Sequence, residues 1–453
     1  DGRQDPYGKN YINGLARHLQ KYALGRSQRN NEFVAMVSGD GSERGDTKKL
    51  QSHIILPSNY IDEVWFGNEK IDKWLSIGNK ALPAGDNYTF FLRFDDVVVS
   101  IRYLYAVDIN GRQATPRLYI DTDGTHSGKP YTPTGDDENA LRIAGAKVTL
   151  KNITVDKASG ASSNPESGDF YGMNAAVLAT NGAEVEITGA TITSDAQNGN
   201  GVFSYGSGTT VTISDSTITT SADNSGGIQT TGGGTTIAND LTVSTAGSSS
   251  AAIRSDRGGG TVSVIGGTYT SSGLNSPAVY STADITVKDA ALTAKGSEAL
   301  VIEGKNSITL TDCDVSGSMS KTEGTSSSEN VHNVMIYQSM SGDAAVGTSS
   351  LSITGGSLTG ESGDMFYITN THAVVTLSGV KITNNDKDGY LMRVTGNSGE
   401  RGWGKAGANG AQAEVTADDQ VLEGDILVDS ISTLSLTLKN GSSFTGSVSI
   451  LKN

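Results

Sequence analysis

The apolar positions after Asp169 fall into short clusters at a repeating interval. Val177, Val202, Ile228, Ile253, Val279, Val301, Met335, Phe366 and Leu391 anchor successive strands, with separations of 25, 26, 25, 26, 22, 34, 31 and 25 residues. An interval in the twenties with two enlarged members predicts a solenoid whose coils differ in one variable loop. A second cluster in each coil alternates apolar and polar residues, as in Val148-Thr-Leu150, Val185-Glu-Ile187, Val211-Thr-Ile213, Ile285-Thr-Val287 and Leu351-Ser-Ile353. Period-two alternation buries one face of a strand and wets the other. Two residues after the last apolar residue stand Asn152, Gly189, Asp215, Asn239, Gly266, Asp289, Asp312, Gly355 and Gly379, residue types that tolerate a left-handed backbone. A third apolar position follows each bend: Val155, Ile192, Ile218, Leu241, Tyr269, Leu292, Val315, Leu358 and Ile382. Three short strands per coil and one sharp turn describe an all-β, right-handed parallel β-helix of about ten coils over residues 131–453.

Residues 1–130 lack the repeat. Helical spacing predicts a helix over Tyr11 to Leu24, with Leu15, Leu19 and Tyr22 on one face. Strands are expected at Phe33 to Val37, Ser52 to Leu56, Tyr88 to Leu92, Val97 to Tyr105 and Arg117 to Ile120. This is a smaller, mainly β domain with one helix, a candidate cap or assembly module for the solenoid's open end.

Composition agrees with strands and tight turns: 57 of 453 residues are Gly, 8 are Pro and 18% are charged. The first 130 residues carry 17 basic and 16 acidic side chains against 34 and 49 in the whole chain, so the net charge of -15 falls almost wholly on the repeat. That balance excludes nucleic acid as a partner, because a phosphate backbone needs a basic stripe. The lone Cys313 excludes an intrachain disulfide and reads as a packing residue. No apolar segment approaches the ~20 residues that span a bilayer, so membrane insertion is not expected. A start at Asp1 fits a chain whose signal peptide is removed, or a fragment, and the expected location is secreted, at a cell surface.

The stretch from Glu138 to Ile450 resembles secreted bacterial right-handed β-helix proteins of the pectate-lyase-like superfamily, described as adhesins or carbohydrate-binding proteins. The resemblance rests on Asp169-Phe-Tyr-Gly-Met-Asn-Ala-Ala-Val177, Asn200-Gly-Val-Phe-Ser-Tyr-Gly206, Ala252-Ile-Arg-Ser-Asp-Arg-Gly-Gly-Gly260, Pro277-Ala-Val-Tyr-Ser-Thr282 and Asp425-Ile-Leu-Val-Asp-Ser-Ile431. It implies the fold and leaves activity open, since such solenoids host lyases, hydrolases and adhesins alike.

Stacking places equivalent residues of successive coils in columns. One residue past the anchors come Phe203, Gln229, Arg254, Tyr280 and Tyr367, and three past them Tyr205 and Asp256. Together they form an expected glycan-binding strip, in which rings stack on sugar C–H faces and polar groups bond hydroxyls. The plainer alternative is that the variable loops cover these rings. Partners would be a polysaccharide or a host or cell-surface glycan, with a self-assembling surface-layer or fibre subunit as a second reading.

A third reading, a Ca²⁺-dependent polysaccharide lyase, would rest on Arg254, Asp256 and Arg257, although Asp256 between two arginines more simply makes surface ion pairs. Asp215, Asp289 and Asp312 occupy the turn column, where turn chemistry explains them. Asp121-Thr-Asp-Gly124 and Asp386-Lys-Asp-Gly389 begin calcium-loop patterns that do not continue. The five histidines lack ligand spacing, so no metal site and no catalytic residue are assigned.

Overall fold

The structure is a computed structural model. It describes residues 119–132, 135–320 and 330–452, together with seven backbone strands between residues 34 and 104. Two compact units are present, residues 1–119 with 136–138, and residues 120–135 with 139–453.

In the first unit the strands are antiparallel. Val34–Gly39 pairs with Leu50–Ile55, which pairs with Lys80–Ala81, and a second sheet runs Glu69–Ile71, Val64–Phe66, Asn87–Phe94, Val97–Leu104. The expected strands near 33–37, 52–56, 88–92 and 97–105 are therefore present, and the expected helix over 11–24 lies outside the described residues.

The second unit is a parallel β-helix with three walls. They hold 13, 12 and 10 strands, each strand inside a sheet hydrogen-bonded to its equivalents in the coils before and after it. The anchor wall stacks Val177, Val202, Ile228, Ile253, Val279, Leu300, Val334, Phe366, Met392 and Ile426 in register. All are essentially inaccessible to solvent, and burying each such side chain contributes roughly 1.5–3 kcal/mol. The alternating wall faces Leu150, Ile187, Ile213, Ala238, Val264, Val287, Leu310, Ile353 and Leu377 inward, and the third wall adds Val155, Ile192, Ile218, Val243, Tyr269, Leu292, Val315 and Leu358.

Four phase assignments are corrected. In the anchor wall Leu300, Val334 and Met392 point inward, where apolarity alone picks their neighbours Val301, Met335 and Leu391. The first two strands are apolar on both faces, so hydropathy does not distinguish the inner one, and in the third the apolar Leu391 directly precedes Met392. In the coil after Ile213 the inward pair is Thr236 and Ala238, and Ile237 faces out. The turn of that coil consequently falls at Asp240 (φ 52°) instead of Asn239, and its third-wall residue is Val243 instead of Leu241.

The turn column holds its residues at positive φ, with Asn152, Asp215, Asp289 and Asp312 near 50°. Glycine enters where the coil below sends a side chain upward: a Cβ on Gly266 would lie 2.0 Å from Asp240 Oδ1, and one on Gly355 2.2 Å from Asp312 Oδ1. A buried hydroxyl ladder closes another corner three residues before the anchors. Ser225 N–H donates to Ser250 Oγ and Ser250 N–H to Ser276 Oγ, both at 2.9 Å.

Candidate functional site

The outer face of the anchor wall presents the column Arg142, Leu178, Phe203, Gln229, Arg254, Tyr280, Val301, Met335, Tyr367, Arg393. Polar and aromatic groups on an outer face would ordinarily be wet, yet two loop excursions cover most of them.

The first excursion carries helix α1, Pro165–Tyr171, capped by Asn164, whose side chain accepts from Ser167 N–H, and ended by Gly172 at φ 74°. Its backbone is tied to the wall: Gln229 Nε2 donates to Asp169 O at 2.8 Å and Thr231 Oγ1 to Phe170 O at 2.7 Å. Ala175, Leu178 and Phe203 form a buried cluster beneath it, with Tyr205 at the margin against Tyr171. The second excursion, residues 395–411, brings in Trp403. Its ring packs edge-on against Tyr337 at 4.8 Å and closes a cluster of Val301, Met335, Tyr337 and Tyr367. Asn397 and Asn409 side chains both donate to Trp403 O at 3.0 Å, which fixes that loop.

The expected open strip is therefore corrected. Phe203, Gln229 and Tyr367 are 0% exposed, shut under these covers. What stays accessible is a cleft of about 280 Å³ between the two covers, lined by Arg254, Asp256, Tyr280, Glu298, Tyr337 and Trp403 among others. Of the sequence-predicted residues, the structure brings Arg254, Asp256 and Tyr280 together there, and leaves Tyr205 outside it.

Arg254 is the organising cation. Its Nη1 lies 3.2 Å from Asp169 Oδ1 and its Nη2 2.8 Å from Asp256 Oδ2. Asp256 is thus not a surface ion pair: it is 6% exposed, and Arg257 reaches it only through its backbone N–H, at 2.9 Å. The Arg257 guanidinium turns instead to Asp343 Oδ1, at 2.9 and 2.8 Å, and lies 3.8 Å from the centre of the Phe170 ring. Burial pushes the Asp256 carboxyl up to about 7 against the pull of Arg254, with Asp169 nearby adding to the rise. Burial likewise raises Asp169. Burial opposes the Arg254 cation, but the two carboxylates outweigh it and hold the guanidinium firmly protonated.

One rung on, Tyr280 and Tyr337 hydroxyls both donate to Glu303 Oε2, and Ser339 donates to Oε1. Burial places both phenols well above their usual range, so they act as donors. Glu303 and Tyr337 escaped the sequence reading because the phase of those strands was taken one residue late. Asp169, Asp343 and Trp403 escaped because they come from loops outside the columns. The one signal for the last is a lone Trp in the glycine-rich run Arg401-Gly-Trp-Gly-Lys405. The Arg401 guanidinium sits 5.6 Å from the Trp403 ring centre.

Among the described residues, no group of three or more His, Cys, Asp or Glu is placed to hold a metal ion, and no helix is long and apolar enough to cross a membrane. Asp386 of the second calcium-like run spends its carboxylate on the backbone N–H groups of Gly363 and Asp388, at 2.8 and 3.0 Å. No protein family, curated protein or solved structure matches the chain.

Proposed function

We propose that the protein is an extracellular, cell-surface β-helix that binds carbohydrate in the cleft between the two covers, acting as an adhesin. The observation that carries this reading is the combination of ring faces and fixed polar groups in one small cleft. The partly exposed Tyr280, backed by the buried Tyr337 and Trp403 rings that line the cleft, offers aromatic surface beside an arginine clamped between Asp169 and Asp256. Sugars are recognised in that way, with C–H faces on rings and hydroxyls on charged, pre-oriented partners. Side chains already held in place lose little entropy on binding. The volume suits one or two sugar rings of a longer chain. What favours binding over turnover is that Asp256 and Glu303 have both oxygens, and Asp169 its Oδ1, engaged by an arginine, amides or hydroxyls. The resemblance of residues 138–450 to secreted solenoids supports the location and the partner class.

The test is a glycan-array and insoluble-polysaccharide screen with and without EDTA, followed by absorbance for unsaturated uronate. Retention that is lost in Trp403→Ala, with no unsaturated product, is the expected result. Product that vanishes with EDTA would replace this reading with a lyase, and retention on no glycan would remove it.

A further inference from the structure

One place in the solenoid breaks the stacking rule. The coil containing His372–Ser378 and the next, containing Gln412–Asp418, pair fully in the alternating wall, from His372↔Gln412 to Ser378↔Asp418. They pair again in the anchor wall, Met392↔Ile426 to Val394↔Val428. In the third wall they do not. Lys381–Asn384 is the last strand of the ten-stranded sheet, and Val421–Glu423 pairs only with Ser443–Thr445 in a separate two-stranded sheet. Between these two strands lies a groove of about 520 Å³, lined by Val380, Ile382, Asn384, Leu391, Val421 and Glu423 among others.

The groove has the chemistry of a vacant strand position. In a parallel ladder the N–H and C=O of alternate residues face the same neighbour. Lys381 N–H donates to Gly356 O and Asn385 N–H to Gly360 O, so the amides of Val380, Ile382 and Asn384 face the groove. On the opposite bank Ser443 N–H donates to Gln420 O and Gly424 N–H to Thr445 O, which turns the backbone amides of Val421 and Glu423 toward the same groove. At one end a side chain already plays the part of a peptide group. The Gln420 amide accepts from Val380 N–H and donates to Val380 O and Val421 O, each at 2.8 Å. At the other end Lys387 Nζ donates to Asn384 O at 3.3 Å. The side chains report the vacancy on one bank: Val155, Ile192, Ile218, Tyr269 and Leu358 are fully buried, whereas Ile382 in the same column is partly exposed; on the other bank the inward Leu422 is buried by its own coil and the next.

We infer that this groove receives an extended peptide strand from a partner chain, inserted between Lys381–Asn384 and Val421–Glu423. Its backbone would pair with the Ile382 and Glu423 amides, and an apolar side chain would cover Ile382. The occupant must be free of proline at the paired positions and must alternate apolar and polar residues, as every other strand of this wall does. This site is separate from the carbohydrate cleft and does not depend on that reading.

The probe is a labelled eight-residue peptide copying residues 214–221 (Ser-Asp-Ser-Thr-Ile-Thr-Thr-Ser), a third-wall strand of this protein with Ile218 as its inward residue. It is titrated into the full chain by fluorescence anisotropy, with amide hydrogen exchange read in parallel. Saturable binding, slowed exchange at the Ile382 and Glu423 amides, and a loss of about tenfold or more on N-methylating a central peptide amide are expected, because each methyl removes a ladder bond. No saturable binding would overturn the proposal, as would indifference to N-methylation. Protection confined to the strand edge at Thr433–Lys439 would overturn it too, by placing the peptide at another edge.

Discussion

The two faces of the anchor wall are made by the same strands and are both largely dry, but they are dry for different reasons. Inward residues are covered by the periodicity of the chain itself, since each rung is roofed by the next. Outward residues are covered by parts of the chain that obey no period: helix α1 over one half of the column and the Trp403 loop over the other. Adjacent residues on one strand, Ile253 facing in and Arg254 facing out, therefore rest on unlike physics, hydrophobic packing in one case and charge pairing at low dielectric in the other. The difference teaches that a solenoid's interior is a one-dimensional problem and its decorated face a three-dimensional one.

The largest effect should come from the outer face. Arg254→Met leaves Asp169 and Asp256 buried without their cation, and losing one side of a buried pair costs about 3–5 kcal/mol. Denaturant unfolding at pH 8 reads this, and a cost under ~1 kcal/mol would mean that water solvates the pair. Ile253→Ala next door should cost about 3 kcal/mol, the usual toll of deleting buried methyls from a core that relaxes little. Unlike the arginine variant, its cost should not change with pH.

The pH dependence sharpens the contrast. The folded-state Asp256 carboxyl is raised to about 7 from the ordinary carboxylate range, so between roughly pH 4 and 7 the folded chain holds a proton that the unfolded chain has released. The stabilisation from this group is full below that window and is lost as pH rises through about 7. Asp256→Asn removes it. The difference in unfolding free energy between wild type and the variant should fall by up to about 1.4 kcal/mol per pH unit across the window and be flat above it. A difference that is flat from pH 4 to 8 would show that the carboxyl is not raised.

How far the molecule was legible follows the same division. The walls could be read because Val177, Val202, Ile228, Ile253 and Val279 repeat on one face, and because Asn, Asp and Gly mark the left-handed turn. Reading failed where both faces of a strand are apolar, as in Leu300-Val-Ile302, for there hydropathy carries no phase. Of the cleft, Arg254, Asp256 and Tyr280 were legible as column members. Asp169, more than 80 residues away in sequence, and Trp403, in a loop longer than its neighbours, were not, because nothing local says where a loop folds back.

The smallest predicted effect tests the phase itself. In the coil after Ile213 the apolar Ile237 stands outward between two inward residues, Thr236 and Ala238, which are 1% and 0% exposed. Hydropathy alone would turn Ile237 to the interior. The pairing instead puts it opposite Thr212 on one side and Ser263 on the other, both members of the wet column. Ile237→Thr should then change stability by no more than about 0.5 kcal/mol, as surface substitutions do. Ala238→Leu, adding methylenes to a filled interior, should cost about 1–3 kcal/mol. If thermal or denaturant unfolding reversed that order, the phase of this coil would be the one that hydropathy chooses. Because a one-residue slip turns every side chain over, Asp240 would then lose its place in the turn column as well.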